Sequence, residues 1–129
     1  MSDIAHAISV VAPWAGLSLL ALIFLANALG VLDQSVAAKE LAATGLREPT
    51  AKRMVAMGRL VQLVATPCLF FHSARLYAAL GLALFLIGAT LTAHAFWSAS
   101  PMDRDRQLAH FLKNVAIVGG LLLAAGWEH

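Results

Sequence analysis

The chain has 129 residues, 60% of them hydrophobic and only 12% charged, with a mean hydropathy of +0.79. Such values lie far outside the range of soluble globular domains and make it a membrane protein. The formal charge of +2 comes from basic residues that mostly flank apolar runs, so lipid headgroups account for it and nucleic acid is not an expected partner.

The uncharged run from Val10 to Leu32 matches the roughly 20 residues that cross a bilayer core as helix. A first span is expected over 11–32, with Pro13 at an early helical position. The run is too long for a signal-peptide core and has no basic segment before it, so the N-terminal segment is expected to be retained. DQSVAAKELAATGLREPT, Asp33 to Thr50, is weakly amphipathic and carries Gly45 as a helix stop, which reads as a short interfacial helix and a turn. A second span over 54–72 must accept Arg59 near its end, where a long basic side chain can snorkel to the headgroups. Pro67 removes one backbone hydrogen bond, and a kink is expected near Ala65 or Thr66. HSAR, His72 to Arg75, is then a very short connection that forces a hairpin into a third span over 76–97. WSASPMDRDRQ is a solvated loop, and a fourth span over 108–127 accepts Lys113. The expected fold is all-α: an integral membrane antiparallel four-helix bundle, with a short interfacial helix between the first and second spans, forming a single membrane domain over 1–129.

Alternating spans put Lys39, Arg47, Lys52, Arg53, Arg59, Arg104, Arg106 and Lys113 on one face and Arg75 alone on the other. The positive-inside rule makes the first face cytoplasmic in a cell (inner or plasma) membrane and leaves both termini outside. Trp14, Tyr77 and Trp127 fall near one interface and Trp97 near the other.

At about 1.5 Å of rise per residue, Asn27, Arg59, Gln62, His94, His110 and Asn114 all lie in the same half of the bilayer. Arg59, Gln62 and Thr66 share a helix face, as do Thr90 with His94 and His110 with Asn114. Two readings follow. In the first, the side chains are interhelical hydrogen-bonding glue, each bond contributing well under about 1 kcal/mol. Alternatively, Arg59, Gln62, His94 and Asn114 form a pocket for the carbonyls of a quinone or a small oxyanion, with Asn27 and His110 at its periphery. His72, His6 and His129 lie on the opposite side, and no inward carboxylate or second cysteine accompanies Cys68. No metal site is therefore expected, and haem would have to rest on His94 with an unusual second ligand.

LIFLANALG, AAKELAATGLREP, TAHAFW and HFLKNVAIVGGLLLAAG together resemble the DoxX family of small four-span bacterial and archaeal membrane proteins, from about Leu17 to the C-terminus. The last stretch is the most specific, because the family often carries a similar phenylalanine, leucine, lysine, asparagine run before a glycine pair. The resemblance implies a membrane subunit of a quinone-linked redox or thiol/sulfur oxidoreductase system, with His94, Lys113 and Asn114 at recurrent positions. It also implies other membrane or soluble redox subunits as partners, with a homo-oligomer as a further arrangement. Two departures stand out: the basic residue that commonly follows the first-span glycine is replaced around Val31 to Asp33, and the acidic residue early in the second span appears as Gln62. Without that acid a proton-transfer role is weakened. With no cofactor motif, thiol pair or nucleophile with a base, the chain is not expected to catalyse alone. The competing expectations are a structural or assembly protein with no chemistry of its own, and a small-solute transporter that four spans could form only as an oligomer.

Overall fold

Leu25 to Val31 show how the first helix ends. In the computed structural model, which describes residues 2–31 and 34–128, Gly30 adopts φ +77°. Its N–H donates to Asn27 O at 3.2 Å while Val31 N–H donates to Ala26 O at 3.0 Å. Glycine tolerates this left-handed conformation without a Cβ penalty, and the two bonds satisfy carbonyls that the helix end would otherwise leave open. Helix α1 accordingly runs Ser2–Ala28. It begins well before the expected residue 11 and places Pro13 in its interior. The expected span end at Leu32, the connection residue Asp33, and His129 lie outside the described residues.

The remaining elements are α2 (Gln34–Ala42), α3 (Glu48–Cys68), α4 (His72–Ala93), a 3-10 turn at Phe96–Ser98, and α5 (Arg104–Ala125). The short helix expected between the first two spans is α2, and Gly45 with φ +98° turns the chain after it. Pro49 lies in the first turn of α3, where its missing N–H costs nothing. Pro67 sits in the last turn of α3, so it accompanies the helix end and does not kink a continuing helix. HSAR is not a connection: Phe71 caps α4, and its carbonyl accepts from Ala74 N at 3.0 Å and Arg75 N at 2.8 Å.

Among the described residues the chain is all-helical. Three stretches, Ser2–Ala28, His72–Ser98 and Arg104–Ala125, are long and apolar enough to cross a membrane. Helix α3 has the length but carries Glu48, Lys52, Arg53 and Arg59 between its first residue and just past its midpoint. Leu19, Leu22, Leu84, Leu122 and Leu123 are well exposed on the outer faces, an arrangement that suits lipid and not water.

The long helices close a ring of neighbours, α1 against α3, α3 against α4, α4 against α5 and α5 against α1, while α2 lies on α3 and α4. Leu17 and Phe24 of α1, Leu69, Leu82 and Ala79, and Leu121 of α5 form the apolar core. Near it Trp14 meets Trp127 edge to face at 5.0 Å. The other end of the ring carries Gln62, Thr90 and Asn114, three of the buried polar residues.

Candidate functional site

The polar end is built on two separate seams. On the α1–α3 seam, Asn27 Nδ2 donates to Gln62 Oε1 at 2.8 Å, and Gln62 Nε2 donates to Gly58 O at 3.0 Å. Gln62 is buried. One turn earlier on α3, Arg59 donates from Nε to Ala28 O at 2.9 Å. The guanidinium thus reaches the carbonyl of the last residue of α1. Gly30 makes room for it: a Cβ there would stand 3.2 Å from Arg59 Nη2.

On the α4–α5 seam, Asn114 Nδ2 donates to Thr90 Oγ1 at 2.9 Å, and Thr90 Oγ1 donates to Leu86 O at 2.6 Å. Both residues are buried. One turn further along each helix stand His94 and His110, stacked with ring centroids 5.0 Å apart and planes 18° apart. His94 caps α4, and its Nδ1 lies 2.8 Å from Gln107 Oε1. In the Nδ1–H tautomer the ring donates to this oxygen and leaves Nε2 as an acceptor. Phe111 packs edge-on against Phe96 at 5.2 Å and Trp97 at 6.1 Å, so the 3-10 turn is fixed to α5.

A groove of about 180 Å³ follows this seam, lined by Ile87, Thr90 and Leu91 of α4 and by Phe111, Asn114, Val115 and Val118 of α5. Leu91 and Val115 in its lining are exposed on the outside of the helices, so the groove opens sideways between α4 and α5. Its walls are apolar, and the Asn114 and Thr90 polar groups that border it are bonded to one another.

The six residues singled out from sequence are therefore divided between two seams. Asn27, Arg59 and Gln62 belong to one seam; His94, His110 and Asn114 belong to the other. No hydrogen bond among the described residues joins Arg59 or Gln62 to His94 or Asn114. Between the seams the α3–α4 contact is filled by Phe85, whose Cε2 would stand 2.7 Å from a Cβ at Gly58. Among the described residues no three His, Cys, Asp or Glu side chains gather as a metal-holding group.

Sequence reasoning missed two residues. Gln107 was assigned to the solvated loop, although Gln107, His110 and Asn114 fall at i, i+3 and i+7, one helix face. Arg75, expected in a very short connection, is a buried residue of α4. Its Nε donates to Leu69 O at 2.8 Å and its Nη1 to Trp127 O at 3.3 Å. Its guanidinium carbon lies 4.3 Å from the Trp127 ring centroid and 5.8 Å from that of Trp14. The aromatic FF before HSAR and the two tryptophans at the same depth were the signal.

Comparison of the chain with protein-family models, with curated proteins and with solved structures finds no match.

Proposed function

We propose that the chain is a small integral membrane subunit of a quinone-linked redox or thiol/sulfur oxidoreductase system, and that a quinone-type lipid binds at the α4–α5 seam. In this reading α1, α3, α4 and α5 cross the membrane antiparallel as four spans. Arg59 and Lys113 snorkel to the cytoplasmic headgroups, and both termini are outside. Support for α3 as a span comes from its place in the ring, between α1 and α4. The resemblance to the DoxX family supports the redox assignment.

One observation carries the ligand reading: an apolar groove that opens sideways runs up to Thr90 and Asn114, with the stacked His94–His110 pair a single helical turn beyond. A prenyl chain would lie along Leu91, Val115 and Val118 with the head ring near Phe111. A quinol hydroxyl would donate to His94 Nε2, whose acceptor character is set by Gln107 on the other ring nitrogen. Arg59 and Gln62, on the far seam, drop out of this site. The partner subunit supplies the electron transfer, because the chain itself offers neither a redox centre nor a thiol pair.

Lipid extracts of the protein purified in mild detergent test this. Quinone above the level in a mock preparation is expected, with less in His94→Leu and in Asn114→Leu. Asn114→Leu should lower stability by no more than about 1 kcal/mol, the usual size of an interhelical hydrogen bond. Equal quinone in wild type and both variants would overturn the site. The second reading, a structural or assembly subunit, is favoured by the pairing of Asn27 with Gln62 and of Asn114 with Thr90. Partner subunits that co-purify without quinone would select it.

A further inference from the structure

We propose that the cleft between α2 and α3 binds the phosphate of an anionic phospholipid headgroup. The cleft has a volume of about 260 Å³ and is lined by Ser35 and Ala38 of α2 and by Lys52, Val55, Ala56 and Arg59 of α3. The four α3 residues fall at i, i+3, i+4 and i+7, one continuous face, with a cation at each end and apolar side chains between.

The two cations differ in how they are held. Lys52 is on the surface, paired with Glu48 at 2.9 Å one turn away, an exposed contact that a phosphate can displace at little cost. Arg59 is partly buried and fixed by its Nε bond to Ala28 O. Among the described residues no carboxylate pairs with it. A guanidinium has five N–H donors in a planar fork, and a single bond to a carbonyl leaves four for a bidentate partner. A fixed fork with an ammonium at the other end of the same face recognises a phosphate better than a carbonyl, because both cations gain charge-assisted bonds. Val55, Ala56 and Ala38 give the same cleft an apolar floor, which suits the glycerol and first methylenes of a lipid and offers nothing to a free anion.

The location fits a lipid. Arg59 sits beside the end of α1, where Gly30 stops the most apolar helix, so the cleft lies at the level where the hydrocarbon gives way to headgroups. Lys39 of α2, Arg47 in the turn between the two helices and Arg53 of α3 are exposed and would draw anionic lipid toward it. This site is on the opposite seam from the proposed quinone groove and does not depend on it.

Purified protein in neutral detergent should be titrated, with melting temperature as the readout, with short-chain phosphatidylglycerol, with phosphatidylcholine of the same chains, and with inorganic phosphate. Saturable stabilisation by phosphatidylglycerol is expected, with at least roughly tenfold weaker apparent affinity in Arg59→Gln, the loss that follows from removing hydrogen bonds to a charged group. Ala56→Leu keeps every charge and fills the floor of the cleft, and it should weaken phosphatidylglycerol to a similar degree. Lys52→Gln, at an exposed position, should fold normally and bind a few-fold more weakly. An equal response to phosphatidylcholine, full competition by inorganic phosphate alone, or unchanged affinity in Ala56→Leu would each overturn the proposal.

Discussion

Thr66 and Thr90 are two buried threonines in long helices, and their hydroxyls have opposite fates. Thr90 Oγ1 donates to the Leu86 carbonyl and accepts from Asn114, so its polar atom is used twice. Thr66 is fully buried and its Oγ1 has no hydrogen-bond partner among the described residues. A buried hydroxyl without a partner carries a desolvation cost of about 1–3 kcal/mol. Thr→Val keeps shape and removes only the hydroxyl, so one substitution should act with two signs. Thr66→Val should raise the melting temperature in detergent. Thr90→Val should lower the melting temperature, with a stability loss of up to about 1 kcal/mol, because Asn114 loses its acceptor. A fall in both would show that Thr66 has a partner, such as a bound water.

At the scale of elements, one guanidinium holds several helix ends together. Arg75 in the first turn of α4 bonds the carbonyl of Leu69 just after α3 and that of Trp127 just after α5, and it lies under the Trp127 ring with Trp14 of α1 close by. Trp127→Ala leaves the backbone carbonyl in place and removes the ring, so it should destabilise by roughly 2 kcal/mol or more, the value of a desolvated cation–π contact with added lost packing. Trp14→Ala should cost less, since its ring is farther from the charge. Equal and negligible shifts in both would mean that the hydrogen bonds alone hold this end. Arg75 escaped the sequence reading because hydropathy finds where apolar surface stops, not where a helix stops. Helices α3, α4 and α5 begin at Glu48, His72 and Arg104, each ahead of the apolar band expected at 54, 76 and 108. A helix keeps its hydrogen bonds past the apolar band, and its polar first turns can still be covered by neighbours, as Arg75 is by two tryptophans.

For the whole molecule, depth was legible and azimuth was not. Counting residues from span ends put Asn27, Gln62, His94 and Asn114 at one end, and contacts at that end pair Asn27 with Gln62 and bring His94 to His110. Nothing in a helical period says which helix faces which, so the order of the ring, and with it the division into two seams by Phe85 on Gly58, lay beyond the sequence. The orientation in the membrane rests on eight basic residues against Arg75 alone, and the burial of Arg75 strengthens that bias: a guanidinium bonded to carbonyls and covered by rings is not available to headgroups. In the proposed orientation, which puts both termini outside, a cysteine at Ser98, exposed on the 3-10 turn, should be protected in intact cells from an impermeant thiol reagent, while one at Ser2 should be labelled. The background should be Cys68→Ser, which retains a donor for the bond to Val64 O. Labelling at Ser98 with protection at Ser2 would invert the molecule and leave four spans. Labelling at both would place residues 2 and 98 on the same side, an odd number of crossings between them is then ruled out, and α3 would have to lie on the membrane surface instead of spanning it.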